Sequence, residues 1–588
     1  MQRDLRGLAD TLFDLVVIGA GIYGALAAWE AAGRGLSVAL IDRGDFGGGT
    51  SFNSLKTLHG GLRSLQSLNL RQMRLFIRER RAMARMAPHL VDRLPFCVPT
   101  YLHPTRNAVA MRAALALTDL VAHDRNEGIL DPELQLPRGR MVSKTECMRL
   151  NPIIGTGGIT GGAVWFDYQM RQHERIGISA VRSASDAGAV VANYVEALGV
   201  RRTGQSVTAL EVKDAITGAT FDVRTRAVLN AAGPWAGGVL ARLTSGSVRP
   251  PAARLSRAMN LVVPRITETH ACGGVVDGRF LFVVPWRDVS ILGTSHDAHD
   301  GDADAPHGTA AHVSQLLADA RLAFPRATFL PSLVRLVHRG LLPMVSAAGT
   351  TVALLKESAV VDHAREGHSG ILSIFSVRYT TARHTASAAI DAACLALGRR
   401  AGSSVTATAR MSSAAFSTLR AHVDDAIRAD APGTTPALRE RLARTYGSHV
   451  GEVTAILRER PDTAHPLSSA CAVTRGEILH AVRHESALTL ADALMRRTEA
   501  GTSGHPGAAA LTSAAAVMAA ALAWSPNRVA TEIQRGHTLA GGCTVKLQGH
   551  YPLASFITGG WNLLSRFKKW AAGSFIYCDA PGPSSKIV

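Results

Sequence analysis

The chain is predicted to be an α/β protein that opens with a doubly wound, dinucleotide-binding domain, and two features carry the prediction. The first is the stretch from Leu15 to Asp42, LVVIGAGIYGALAAWEAAGRGLSVALID, in which an apolar strand, a glycine-rich turn, an alanine-rich helix and a second apolar strand follow one another. The second is size: 588 residues, 47% of them hydrophobic, bury more than one core, so two or three domains are expected.

Within the first unit, Gly19, Gly21 and Gly24 make the GxGxxG spacing between strand and helix. Gly19 permits the tight turn, Gly21 lets the backbone approach a pyrophosphate, and Gly24 lets the helix lie close on the strand. The helix N-terminus adds free N–H groups and a partial positive charge. Asp42 ends the second strand, placed to accept hydrogen bonds from a ribose. Next comes RGDFGGGTSFNSLKTLHGGLRSLQ, whose glycines and small polar residues leave backbone N–H groups to wrap a cofactor, and then the helical pattern LNLRQMRLFIRERRAMARMAPHL. Far downstream, PGTTPALRE from Pro432 marks a turn into further helices. Gly507 to Trp524 is uncharged but mostly alanine, which predicts a buried or amphipathic helix rather than a membrane span.

Sixty-four Lys and Arg against forty-six Asp and Glu give a net charge of +18. That charge draws an anionic substrate, an anionic membrane or nucleic acid, unless it reflects a general preference for arginine. No nucleic-acid module or aromatic-interleaved basic stripe is present, so nucleic acid is not expected as a partner. The seven cysteines are scattered without a CxxC pair, which predicts neither a disulfide framework nor a metal site. The start, MQRDLRGLAD, has no apolar core of signal-peptide length, so a cytoplasmic location is expected.

Thr50 to Arg63, TSFNSLKTLHGGLR with Lys56 and His59, resembles the signature of FAD-dependent glycerol-3-phosphate dehydrogenases. MAPHLVDRLPF (Met86 to Phe96), VLNAAGPW (228–235), FVVPWRDVSILGTSHD (Phe282 to Asp297), LSIFSVRYTTARHTA (Leu372 to Ala386) and EILHAVRHESALTLADALMRRT (Glu477 to Thr498) continue the likeness, over about residues 12–535. The resemblance selects FAD over NAD. It implies a Rossmann-like FAD-binding domain made of 12–100, 210–245 and 350–400, interleaved with a mixed-sheet substrate domain made of 101–209 and 246–349. A C-terminal helical cap over 401–540 and a tail over 541–588 follow. It also implies FAD contacts at Gly19, Gly21, Gly24, Asp42, Thr50, Ser51, Lys56, Ala232, Gly233 and Thr380.

Oxidising a secondary alcohol by hydride transfer to flavin N5 requires a base for the hydroxyl proton and, for an anionic substrate, cations to hold it. The resemblance places Arg63, Lys356 and Arg378 at the substrate, with Arg63 and Arg378 also beside the chemistry. Here the sequence departs from the family. Lys356 stands where an Arg is usual, Arg378 where a Lys is usual, after Ser376 and Val377 instead of two glycines, and Ser64 follows Arg63 instead of a Tyr. More serious, MNLVVPR puts Asn260 where a His is usual, and GLLPM puts Leu342 where a phosphate-binding Arg is usual. Asparagine does not titrate near neutral pH, and leucine binds no phosphate. Arg335 and Arg339 lie near enough in sequence to compensate.

The remaining candidates for the base are His59 and His296; His59 is also a candidate for covalent flavin attachment. The substrate expected is glycerol 3-phosphate or a related polyol. The alternatives are a different hydroxy or amino substrate, and a FAD-binding relative without turnover. A quinone or another acceptor receives the electrons, and an oligomer is compatible with the sequence. Trp561, Leu564, Phe567 and Trp570, beside Arg566, Lys568 and Lys569, suit either a helix lying in a membrane interface or a docked terminal helix. The first option predicts peripheral contact with the inner membrane face.

Overall fold

The structure is a computed structural model and describes residues 1–250, 254–305, 308–348, 351–355, 357–429 and 433–541. The Phe13–Ile18 strand is buried at every position, as a run of apolar residues covered on both faces requires. It lies parallel to Val38–Ile41 on one side and to Thr220–Asn230 on the other. Outward from these, Val190–Ala192 joins Val38–Ile41, and Ile371–Phe375 joins Thr220–Asn230, both in parallel; Ala359–Asp362 closes that edge antiparallel. One face of this sheet is packed by the helices Ile22–Gly33, His173–Asp186 and Ala382–Ala396. The other is covered by Ala236–Leu243 and by the hairpin Val195–Thr203 with Ser206–Asp214. Two covered faces make the domain doubly wound, as the opening βαβ unit predicts.

The second sheet has ten strands among the described residues. At its centre Arg254–Pro264 runs antiparallel to both Val289–His299 and Leu336–Ala348. Ala271–Val276 pairs in parallel with Val91–Tyr101, which makes the sheet mixed. Its buried face, including Met259, Leu261 and Val263, packs on the helix Ala310–Ala323 with Phe324 and Phe329.

The two sheets exchange chain more finely than the expected pieces do. Val91–Tyr101 pairs in the second sheet, and Val190–Ala192 with the hairpin after it joins the first. A strand belongs to the edge that satisfies its backbone hydrogen bonds, and apolar runs do not state which edge that is.

The C-terminal region is helical. Arg475–Glu485 starts on a reciprocal cap between Thr474 and Glu477. Ala508–Leu522 buries Ala510, Leu511, Ala514, Ala515 and Met518 at helical spacing, so the uncharged stretch is a packed helix. Among the described residues no helix is long and apolar enough to cross a membrane. The Trp561–Trp570 segment lies outside the described residues.

Candidate dinucleotide and substrate site

Each glycine of the first turn meets a neighbour that explains it. Gly19 has φ +95°, and a Cβ there would stand 2.9 Å from the Ala231 carbonyl oxygen, so this turn nests on the second motif. A Cβ at Gly24 would stand 1.8 Å from the Gly19 carbonyl oxygen, which fixes how closely helix and turn approach. Gly21 caps the Ile22–Gly33 helix without a side chain, and Ser51 Oγ accepts the Ile22 N–H at 2.9 Å. Replacing Ser51 with alanine is expected to cost about 1 kcal/mol of stability. Thermal unfolding checks this, and unchanged stability would show that water replaces the hydroxyl fully. Asp42 accepts the N–H groups of Ala20 at 2.7 Å and Gly44 at 2.9 Å. Burial pushes its carboxyl up from the ordinary value against those two bonds.

A cavity of about 1030 Å³ opens from this turn. Gly19, Gly21, Asp42, Thr50, Ser51, Ala232 and Gly233 line one part of it; Asn260, Thr294, His296, Leu342 and Arg378 line another. The volume is at the upper end for ligand pockets, as a dinucleotide beside a small substrate requires. The loop from Gly49 runs along the Leu336–Ala348 strand: Thr50 Oγ1 donates to the Leu341 carbonyl at 3.1 Å, and the Arg339 N–H donates to Asn53 Oδ1 at 3.0 Å. The loop thereby ties the nucleotide turn to the second sheet.

Asn260 is 2% exposed, and its Oδ1 accepts the Thr294 hydroxyl at 2.7 Å. Its cross-strand partner is His338, so the two side chains share one face of the sheet. Two and four residues back along the Arg254–Pro264 strand, the pairs Ala258–His296 and Ser256–Leu342 lie on the same face. Arg378 lines the cavity with its guanidinium 5.3 Å from the Phe76 ring, and Tyr23 hydroxyl donates to its carbonyl at 2.6 Å.

Other sequence-derived candidates stand elsewhere. Gly24 acts from behind the turn. Thr380 Oγ1 accepts the His59 N–H at 3.3 Å and does not line the cavity. His59 also lies off the lining, with Nδ1 3.5 Å from Asp167 Oδ2, a carboxylate shared with Arg80 and the Gly60 N–H. Lys56 is 1% exposed, bonded through Nζ to the Phe52 carbonyl and 3.3 Å from His173 Nδ1, rather than directed at the cavity. Lys356 and the Arg63 side chain lie outside the described residues.

Several site residues were not anticipated from sequence. Asp45, next to the glycine turn, is held by Arg496 and Arg497, and Arg496 lines the cavity. Arg497 Nη1 and Nη2 reach the two Asp45 oxygens at 2.8 and 2.7 Å, and Asn193 Nδ2 donates to the same carboxylate at 2.9 Å. Burial would raise the Asp45 carboxyl; the charges of Arg497 and Arg496 outweigh it and hold the group well below the carboxylate range. The arginines sit on a π-helical turn, Ala493–Arg497, whose wider winding brings successive side chains toward one partner. The sequence signal was the Arg–Arg pair closing an otherwise apolar helical run, which demands a buried acid somewhere. At the cavity edge Asp304 accepts from Arg43 Nη1 at 3.0 Å and from Trp235 Nε1 at 2.7 Å, with the Arg43 guanidinium 4.8 Å from the Trp235 ring.

Comparison with known proteins agrees with this arrangement. The profile described as "FAD dependent oxidoreductase" matches residues 14–372, and that described as "C-terminal domain of alpha-glycerophosphate oxidase" matches 401–529. A glycerol-3-phosphate dehydrogenase 1 of Mycobacterium tuberculosis is 33% identical over 514 residues, covering 85% of this chain and 94% of that protein. A glycerol-3-phosphate dehydrogenase of Synechocystis is 27% identical over 550 residues, covering 91% and 98%. The crystal structure of the glycerol-3-phosphate dehydrogenase from Bacillus halodurans complexed with FAD superposes with a TM-score of 0.70 at 21% identity, covering 92% of this chain and 97% of that one, and so shares the fold.

Proposed function

Given that the chain belongs to the FAD dependent oxidoreductase family, we propose that it oxidises the secondary alcohol of glycerol 3-phosphate or a related polyol. The observation that carries the proposal is the single cavity joining the nucleotide turn to the Asn260–Arg378 wall. The site fits FAD: Gly19 and Gly21 present backbone without side chains to the cavity, the helix N-terminus faces it, and Asp42 stands at its edge. When bound, FAD supplies the hydride acceptor at N5. Gly19, Gly21, Ser51 and the Ala232–Gly233 turn hold its phosphates in this reading, and Asp42 its ribose.

At the other end, the Asn260 and Thr294 pair offers hydrogen bonds to a substrate hydroxyl. Arg378 supplies positive charge there, joined in the proposal by Arg63 and Lys356. Leu342 contributes none. Losing one ionic hydrogen bond costs about 1.5–3 kcal/mol, so phosphate affinity is expected to fall about ten- to 150-fold relative to a site with arginine there. That residue favours a second reading, a different hydroxy or amino substrate on the same machinery. The electron acceptor is proposed to be a quinone or another carrier, reached by peripheral contact of the basic chain with a membrane.

Anaerobic bleaching of the flavin decides between the substrates. Glycerol 3-phosphate is expected to reduce it faster than glycerol, and Leu342→Arg to lower the concentration giving half the maximal rate by about tenfold or more. Equal bleaching by the two compounds defeats the phosphate-specific reading.

A further inference from the structure

We propose that Ser54, His173 and Lys56 form a relay that takes the alcohol proton out of the cavity. The proposal rests on the alcohol-oxidising reading above and names the base that reading lacks. Ser54 lines the cavity, on the loop tied to the strand that carries His338 beside Asn260. Its Oγ lies 3.2 Å from His173 Nε2, and His173 Nδ1 lies 3.3 Å from Lys56 Nζ. His173 and Lys56 are 3% and 1% exposed, so the chain runs from the cavity wall into dry interior.

The end of the chain is an amine held in the interior, away from water. Nζ bonds to the Phe52 carbonyl and is otherwise faced by the Phe52 ring at 4.7 Å and the Trp286 ring at 5.6 Å. The charged groups acting on it are Glu174 and Arg287, which are paired with each other, and the imidazoles nearby are His173 and His338. Burial pushes Lys56 down to about 7, and burial with the Lys56 charge holds both imidazoles well below their usual range. Lys56 adopts φ 62°, a left-handed backbone that only the surrounding structure sustains in a non-glycine residue.

The balance is simple. The alcohol carbon loses hydride, with both electrons, to the flavin, and the alcohol O–H bond breaks as the C=O bond forms. Ser54 Oγ takes that proton while giving its own to His173 Nε2, and His173 Nδ1–H passes its proton to the Lys56 lone pair. One ammonium results, and its positive charge is balanced by the negative charge that the hydride carries to the flavin, with Ser54 and His173 left neutral. Ser54 is the catalytic member; His173 and Lys56 act through it.

The test uses full-length holoprotein with Ser54→Ala, His173→Gln and Lys56→Met. Anaerobic flavin reduction by whichever alcohol bleaches the wild type is followed from pH 5.5 to 9.5. In the wild type the rate should rise as pH passes about 7. In Lys56→Met and His173→Gln it should fall by about 100-fold or more and lose that inflection, with the half-saturating substrate concentration moved less than about threefold. Unfolding midpoints give a readout independent of turnover. A lysine whose folded value is lowered leaves the native state binding fewer protons than the unfolded one between about pH 7 and 10.5. Wild-type stability should therefore rise with pH in that window, and Lys56→Met should flatten the rise. If no alcohol reduces the wild type, the dehydrogenase reading fails and the relay with it. If reduction proceeds in the folded variants with the wild-type pH profile, the relay alone fails.

Discussion

Alanine in place of Gly24 is expected to yield a protein that no longer retains FAD. The added carbon would lie 1.8 Å from the Gly19 carbonyl oxygen, a backbone atom that no rotamer change removes. Relief requires the Ile22–Gly33 helix to back away by more than an ångström, but that helix is packed into the core of the first sheet. Gly19 cannot yield either, because its left-handed turn already rests on Ala231. Overpacking of this kind costs about 1–3 kcal/mol or more, and the displacement moves the N–H groups that face the pyrophosphate. The ratio of flavin to protein absorbance should drop at least tenfold while the helical signal in circular dichroism stays. Gly21→Ala separates the two effects: its new carbon meets only Ser51 Oγ, at 3.1 Å, so the helix is expected to stay in place, and any loss of flavin there comes from the carbon's own position on the cavity wall. A Gly24→Ala protein with a full complement of flavin would show that the helix is looser than its packing indicates.

Asp45→Ala is expected to be the most destabilising single change in the site. It leaves the fully buried Arg497 without its carboxylate partner, while Arg496 keeps its pair with Asp492. Removing one partner of a buried ion pair costs about 3–5 kcal/mol, because the other charge stays where water cannot reach it. Denaturant titration measures the loss, and weaker flavin retention should accompany it, since Arg496 lines the cavity. The pH dependence has a definite sign. A carboxyl held below its unfolded value contributes stability that is complete above the ordinary aspartate range and is lost as pH falls through the lowered folded value. The wild type should therefore lose this contribution only in strong acid, and Asp45→Ala should lack that part of the acid slope.

What could be read in the sequence was what is local. The strand, turn and helix around Gly19, Gly21 and Gly24 announce themselves by residue type and spacing, and Ala232–Gly233 does so by motif; Gly19, Gly21, Ala232 and Gly233 line the cavity. The Asp45–Arg497 bond joins residues 452 apart, and no periodicity links such positions. Lys56 was legible as a motif residue, but its direction depends on a left-handed backbone that residue type does not forecast. His59 follows the same loop, and Asp167, from a distant strand, claims it. Leu342 and Asn260 were legible as departures, and the structure adds that both sit on one sheet face with His296 and His338.

The Arg43–Asp304–Trp235 contact at the cavity edge bears on how fast the cofactor comes and goes. Its two charged side chains are 39% and 59% exposed, so the attraction between them is worth little at equilibrium. A clasp of this kind acts on traffic instead. Such an exposed pair weakens where salt shortens the Debye length to below about 10 Å. Flavin release from the holoprotein is therefore expected to quicken as salt is added, and a release rate independent of ionic strength would show that the contact plays no part in it.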